Sequence, residues 1–165
     1  MTKTEQRLYD PIINALVDKF SPLGKCYFEN TSQKFSEKLK EQLDDYSLFI
    51  LNIERMSPDL TGYLIKKETY GESKHIIVAE IKEDKPTLKD IYQTKRYAEI
   101  LHASYALLIS LKKLSMERRK FLIKRKGEIT QFYPNKHVLI GQFDESTRSI
   151  QIDKELYYDV PEPFK

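Results

Sequence analysis

The sequence predicts an α/β protein in which a mixed sheet is flanked by helices. Three observations support this fold class. Apolar residues recur at helical spacing near the N-terminus, short apolar runs of strand length occupy the middle of the chain, and helical and strand patterns then alternate. The resulting order of helix, strands, helix, strand, helix and strands is typical of a sheet that helices cover.

A chain of 165 residues fits a single domain with one core. We divide it into a helical N-terminal part, a core, and a C-terminal part with a basic helix and extra strands, at about 1–45, 46–112 and 113–165. No run approaches the roughly 18 apolar residues of a membrane span, and the first residues do not resemble a signal peptide. We therefore expect a cytoplasmic protein without a membrane partner.

Three elements are expected in the N-terminal part. The pair Asp10-Pro11 looks like an N-cap followed by the first helical residue, so a helix begins at Asp10, or begins near Thr4 and bends at Pro11. Residues 25–29 predict a short strand. Residues 36–45 predict a second, polar helix.

The pattern changes to strands in the middle of the chain. Residues 47–53 form an apolar run that predicts a strand, and residues 60–67 and 74–82 predict a hairpin around a turn at 70–73. The second hairpin strand is apolar on both faces, which is typical of a central strand covered on both sides. Polar residues at the end of such a buried strand are unusual and require an explanation.

A helix and a strand follow the hairpin. Thr87 and Asp90 have the spacing of a capping box, which predicts a helix that ends near His102. The short apolar run at 105–110 predicts the next strand.

The basic charge of the chain is concentrated in one segment. Eight bases and one acid lie between residues 112 and 126, in a chain whose net charge is only +3. A local basic block suits a polyanion as partner, with solvated surface charge as the alternative. We expect a helix over 115–126, followed by strands at 129–133 and 138–143. The helix residues expected to be buried are Met116, Phe121 and Leu122.

An acid-x-lysine tripeptide at the end of the central strand is the most informative motif. Three such tripeptides occur, beginning at Glu72, Glu80 and Glu83, and only the one at Glu80 ends a strand. Side chains two apart on a strand share a face, so Glu80 and Lys82 are neighbours. The hairpin should also bring Asp59, at the start of its first strand, beside Glu80.

These residue types suit metal-assisted hydrolysis of a phosphodiester. Asp59 and Glu80 provide carboxylates for a hard cation such as Mg²⁺, and the backbone carbonyl of Ile81 completes the protein's share. Lys82 would orient the attacking hydroxide, stabilise charge on the phosphate or accept a proton. The alternative is an ordinary surface pair of Glu80 and Lys82, which contributes little to stability.

The order of these residues resembles the PD-(D/E)xK nuclease superfamily. Pro58-Asp59 is followed by Glu80-Ile81-Lys82 on a hairpin with helices before and after it. The pattern also resembles the N-terminal nuclease domain of type I restriction motor subunits. The resemblance implies a restriction-endonuclease-like fold and Mg²⁺-dependent hydrolysis of DNA, with Mn²⁺ as a substitute.

A second motif lies on the helix after the lysine. Gln93 and Tyr97 resemble the Gln-x-x-x-Tyr pattern of RecB-type nucleases, although Met56 stands where those sequences usually carry glycine. On a helical wheel Gln93 and Tyr97 share the inward face, where a buried amide needs a partner. The resemblance implies that this partner is the active site or a bound strand. It also implies a first-helix glutamate near the metal, for which Glu5 is the candidate, with helix capping as the alternative.

DNA is the partner that these observations imply. Lys89, Arg96 and the basic block would contact the phosphate backbone. The residues of that block are Arg118, Arg119, Lys120, Lys124, Arg125 and Lys126. Cutting both strands of a duplex often takes two active sites, so a homodimer is one expected assembly.

Two other functions remain open, and several are excluded. One is a module that keeps the nuclease fold without turnover and binds nucleic acid or supports an assembly. The other is an interaction protein with surface ion pairs, which predicts that Asp59 and Glu80 lie far apart. Singly scattered glycines exclude a phosphate loop and a dinucleotide fingerprint, and the isolated histidines lack zinc spacing.

Overall fold

Seven β-strands form one mixed sheet, and five α-helices flank it within the part of the chain that the structure describes. The computed structural model describes residues 3–125 and 127–165, and the side chains from residue 6 onward. The α/β fold class that the sequence predicts is confirmed, and the layout is consistent with a restriction-endonuclease-like sheet.

The elements are numbered in chain order. The helices are α1 (Lys3–Phe20), α2 (Glu37–Lys40), α3 (Asp45–Ile53), α4 (Leu88–Ile100) and α5 (Met116–Lys124). The strands are β1 (Lys25–Asn30), β2 (Leu60–Glu68), β3 (Gly71–Lys82), β4 (Tyr105–Ser110), β5 (Gln131–Tyr133), β6 (Lys136–Asp144) and β7 (Ser149–Ile152). Among these helices, none has the length and apolar character to cross a membrane.

Strand β3 is central in the sheet, as the sequence predicts. The order is β1-β2-β3-β4-β6-β5, and β7 pairs with β6. β1, β2 and β3 pair antiparallel, whereas β3, β4 and β6 pair parallel. A parallel neighbour needs a crossover connection, and α4 is the crossover between β3 and β4.

Helices cover both faces of the sheet. On one face Leu16 of α1 and Leu107 of β4 belong to the same buried cluster, and on the other face Ile91 of α4 and Leu108 of β4 belong to a second. Neighbouring residues of a strand point to opposite faces, so β4 contributes to both cores. Glu80 lies in register with Leu108 and therefore faces α4.

The expected strand at 47–53 is wrong, because this segment belongs to helix α3. The side chain of Asp44 caps the helix by accepting a hydrogen bond from the Ser47 N–H at 2.8 Å. Ser47 and Leu51, four residues apart, form its buried side. Its exposed apolar residues are Tyr46, Phe49 and Ile53. Because apolar residues lie on every side of this helix, the sequence shows no helical period, and the run was therefore predicted to be a strand.

Several element boundaries also differ from the predictions. Helix α1 begins at Lys3, so the start at Asp10 is wrong, whereas the alternative start near Thr4, with Pro11 inside the helix, agrees with the structure. The second helix is only the four residues of α2, with Ser36 as its N-cap. On α5 only Leu122 is buried, whereas Met116 and Phe121 are 60% and 42% exposed. Strand β7 was not predicted, because its four residues are too few for a clear pattern.

The Asp44 cap gives a direct test of helix α3. Asp44→Ala should lower the free energy of unfolding by about 1 kcal/mol, because it removes the acceptor for the Ser47 N–H. Asp45→Ala is the matched control, since Asp45 is the next acid but does not cap the helix. Urea unfolding measures both variants. Equal losses in the two would contradict the capping role.

Candidate functional site

The hairpin of β2 and β3 brings Asp59 and Glu80 together. Leu60 pairs with Ala79, so the preceding residue, Asp59, lies beside Glu80. The backbone N–H of Asp59 donates to Glu80 Oε1 at 3.1 Å, and the N–H of Ile81 donates to Asp59 Oδ2 at 2.8 Å. The alternative of an interaction protein with surface ion pairs required these two acids to lie far apart. That requirement is wrong.

Thr31, which follows β1, fixes the start of β2. Its backbone N–H donates to the Asp59 carbonyl at 2.9 Å, and its Oγ1 donates to the Pro58 carbonyl at 2.8 Å. Thr31 is fully buried and its hydroxyl also contacts that of Thr61 at 2.9 Å. These bonds hold the Pro58-Asp59 backbone in place. Sequence analysis did not single out Thr31, because the contact joins residues far apart in the chain.

Glu80 is a buried carboxylate at the end of the central strand. Only 2% of the residue is exposed. Its Oε2 accepts hydrogen bonds from Gln93 Nε2 at 3.1 Å and from Lys82 Nζ at 3.4 Å. Burial, together with the negative charge of Asp59, raises the pKa of Glu80 to about 8. Without a further cation, Glu80 therefore holds a proton at neutral pH.

Lys82 carries its positive charge next to Glu80. Its ammonium lies 4.0 Å from Asp90 Oδ1 as well as 3.4 Å from Glu80 Oε2. Burial alone would lower the pKa of Lys82, but the carboxylates of Glu80, Asp59 and Asp90 outweigh it and raise the pKa. In the metal-free protein Lys82 is thus a charged donor and a poor proton acceptor.

Asp90 has two roles, of which the sequence indicated one. Its Oδ2 accepts from the Thr87 N–H at 2.8 Å, and the Thr87 side chain completes the predicted capping box at the start of α4. Its other oxygen faces Lys82. The cap of α4 is therefore also part of the electrostatic surroundings of the lysine.

Helix α4 presents Gln93 and Tyr97 to the buried glutamate. Gln93 Nε2 donates to Glu80 Oε2 and lies 3.5 Å from the Tyr97 hydroxyl. Tyr97 is buried, and burial together with the Glu80 charge raises its pKa. The partner that the inward-facing amide needs is Glu80.

Tyr9 of α1 contacts the site from the other layer of the fold. Its hydroxyl donates to Asp59 Oδ1 at 2.8 Å, and the residue is 1% exposed. Sequence analysis missed Tyr9, although one signal was present. A tyrosine on the apolar face of an amphipathic helix is buried, and a buried hydroxyl usually has a hydrogen-bond partner.

All four arginines expected to contact phosphate have partners within the protein. Arg119 binds Asp153 at 2.7 Å and Glu155 at 2.5 Å. The others with partners are Arg96 with Glu54 at 2.6 Å, Arg125 with Glu128 at 2.8 Å, and Arg118 with the Pro86 carbonyl at 3.2 Å. The sequence alone does not reveal these ion pairs, because most of the acids that bind these arginines come from distant segments of the chain.

Three of the expected phosphate contacts are lysines that remain accessible. Lys89, Lys120 and Lys124 are exposed and form no ion pair with any described residue. Two further residues expected at the site lie outside the described part of the chain. For Glu5 this applies to the side chain, and for Lys126 to the whole residue.

The site is therefore a compact network at one end of the sheet. Asp59, Glu80, Lys82, Gln93 and Tyr97 converge as their order in the sequence predicts, although their roles stay predictions. No family model, curated protein or solved structure matches the chain. Chemistry and geometry are consequently the basis for inferring its function.

The raised pKa of Glu80 predicts a pH-dependent stability in the presence of a chelator. The folded protein keeps a proton on Glu80 that the unfolded chain releases above its ordinary pKa of 4.5, so stability falls as the pH rises from about 4.5 to about 8. Glu80→Gln cannot ionise and should escape this loss, becoming more stable than the wild type by a few kcal/mol above that window.

Urea unfolding at a series of pH values measures this difference. Glu72→Gln is the matched control, because Glu72 is an exposed acid on the same strand. Its pH profile should follow that of the wild type. If the profile of Glu80→Gln did the same, the raised pKa would be refuted.

Proposed function

We propose that the protein is a divalent-metal-dependent nuclease of the PD-(D/E)xK type, which hydrolyses phosphodiester bonds in DNA. The observation that carries this proposal is the buried Glu80 carboxylate beside Asp59, with the Lys82 ammonium on the same strand face. A buried acid beside a second, partly exposed acid and a lysine is costly for a purely structural site.

The donor set fits Mg²⁺. Burial of Glu80 and the neighbouring charge of Asp59 raise the pKa of Glu80, and a divalent cation between the two acids would favour the ionised pair. No three His, Cys, Asp or Glu side chains of the described residues form a metal-binding group. Asp59, Glu80 and the Ile81 carbonyl would therefore leave positions for water and a phosphate oxygen, as Mg²⁺ prefers. The cation would neutralise phosphate charge and lower the pKa of a water, and Mn²⁺ would substitute for it.

The surrounding side chains would position the acids and the phosphate. Tyr9 and the Ile81 N–H orient the Asp59 carboxylate, and Gln93 orients that of Glu80. Lys82 is a fixed positive charge that would stabilise negative charge on the phosphate or orient the attacking hydroxide. Its raised pKa favours these roles over proton transfer.

The order of the motif residues supports the superfamily assignment. Pro58-Asp59 precedes a hairpin, Glu80-Ile81-Lys82 ends its second strand, and the Gln-x-x-x-Tyr pattern lies on the next helix. A mixed sheet flanked by helices is the layout expected for such a nuclease.

DNA is the proposed substrate, and the free lysines are its proposed backbone contacts. Lys89, Lys120 and Lys124 are exposed charges that would neutralise phosphates. Arg119 is a poor candidate, since Asp153 and Glu155 hold it. A homodimer would allow both strands of a duplex to be cut, and a DNA substrate agrees with the cytoplasmic location expected from the sequence.

One observation favours a catalytically inactive, nucleic-acid-binding or assembly module instead. All four carboxylate oxygens of Asp59 and Glu80 already accept hydrogen bonds within the protein. Such a network is complete without an ion. A chain that kept the fold but lost turnover would retain this network for stability alone.

Cleavage assays test the nuclease directly. Degradation of DNA should require Mg²⁺ or Mn²⁺, and Asp59→Asn, Glu80→Gln and Lys82→Ala should each reduce its rate by roughly 100-fold or more, because each removes a group that stabilises the transition state. Lys67→Ala is the matched control for the lysine, since Lys67 is exposed on the same hairpin. Robust cleavage by the folded variants would refute the proposal.

Calorimetric titration separates the nuclease from the inactive module. The wild type should bind Mg²⁺ or Mn²⁺, and the Asp59→Asn/Glu80→Gln double variant should not, since it lacks both carboxylates. Circular dichroism checks that the variant is folded. Salt-dependent DNA binding without any metal binding would favour the module.

A further inference from the structure

A cleft of about 760 Å³ opens beside the candidate site. One wall is the segment 32–35 after β1, with Lys40 of α2, and the other wall is helix α3 together with residues 55–57. Its volume is within the range of clefts that bind ligands.

The cleft is continuous with the candidate site. Tyr97 lines it, and the hydroxyl of Tyr97 is in contact with Gln93, which donates to Glu80. Ser57 also lines it and lies two residues before Asp59. The cleft therefore lies next to the two acids, although neither of them lines it.

The charged residues of the cleft are all positive. Lys34, Lys40 and Arg55 line it, and no acid does so among the described residues. Lys40 is 2.7 Å from Glu37, which lies outside the cleft, whereas the side chains of Lys34 and Arg55 form no ion pair in the described part of the chain. Three cations that line one cleft, two of them without an ion-pair partner among the described residues, suit a polyanion.

Both walls also carry apolar side chains. They are Phe35, Leu48, Leu51 and Met56. A duplex keeps its bases stacked and paired, so it would present only phosphates to such a cleft and leave these apolar side chains uncovered. An unpaired strand presents bases to an apolar or aromatic surface and phosphates to the surrounding cations.

Arg55 stands at a backbone position that does not favour arginine. It follows the C-terminus of α3 with φ at +50°, in the left-handed region where glycine or asparagine is usual. Arginine there costs about 1 kcal/mol relative to glycine. The Arg55 side chain lines the cleft, so its charge can be removed there by a glycine, which this backbone position favours.

We propose that this cleft binds a single polynucleotide strand, with bases against its apolar side chains and phosphates against Lys34, Lys40 and Arg55. The strand then passes Tyr97 and presents a phosphodiester to Asp59 and Glu80. This assignment of the substrate form rests on the proposed nuclease function. It makes single-stranded or frayed nucleic acid the preferred substrate.

Binding of a fluorescent oligothymidylate, followed by anisotropy in a chelator, tests the cleft without any cleavage. The triple variant Lys34→Ala/Lys40→Ala/Arg55→Gly should bind about tenfold to 100-fold more weakly, with a salt dependence reduced by about 2 in its logarithmic slope. The control is Lys25→Ala/Lys67→Ala/Arg148→Gly. It removes the same charge from exposed residues elsewhere, and Arg148 also has a positive φ, at +51°. The control should keep most of its affinity.

Other nucleic-acid ligands and one single variant test which form of strand binds and whether Arg55 contributes to binding. An abasic strand and a blunt duplex should bind more weakly than oligothymidylate, and oligouridylate distinguishes an RNA from a DNA strand as the natural source. Arg55→Gly alone should weaken binding while unfolding at the same or a higher urea concentration, which a purely structural arginine would not do.

Equal losses in the two triple variants, or equal affinity for the duplex and the single strand, would overturn the proposal. The outcome is separable from that of the nuclease proposal. Cleft-dependent binding of a strand by a protein that never cleaves supports the cleft and contradicts the nuclease, whereas metal-dependent cleavage that the cleft variant retains on single strands contradicts the cleft.

Discussion

The buried carboxylate of Glu80, held against a second acid at the end of the central strand, is the interaction around which the site is organised. An ionised group out of water is unfavourable unless other groups compensate it. Here the compensation comes from the Asp59 N–H, the Gln93 amide and the Lys82 ammonium. It remains incomplete, because the pKa of Glu80 still rises to about 8. A buried acid with incomplete compensation, next to a second acid, is suited to receive a cation.

Both layers of the fold contribute to this arrangement. Tyr9 reaches Asp59 from α1, and Gln93 reaches Glu80 from α4 on the other face of the sheet. Thr31 fixes the backbone at the start of β2. The site is thus held by hydrogen bonds from helices on both faces of the sheet. Rigid elements of this kind hold catalytic groups more accurately than loops do.

The features that the sequence predicted correctly are those with local causes. The β2–β3 hairpin, the capping box of Thr87 and Asp90, and the neighbouring positions of Glu80 and Lys82 all follow from spacing along the chain. Contacts between distant segments were not predictable from spacing. They include the Tyr9 bond to Asp59, the ion pairs of Arg119 and the cleft beside Tyr97. Helix α3 was predicted as a strand for another reason. Its exposed face carries apolar residues as its buried face does, so the segment shows no helical period.

Carbon-13 NMR of the Glu80 carboxyl, titrated with and without Mg²⁺, tests the cation site most directly. In a chelator the carboxyl should titrate with a pKa of about 8, because it is buried beside Asp59. Saturating Mg²⁺ should lower that pKa below the ordinary value of 4.5, because the cation stabilises the ionised form. A pKa that is the same with and without Mg²⁺ would contradict a metal site at Asp59 and Glu80.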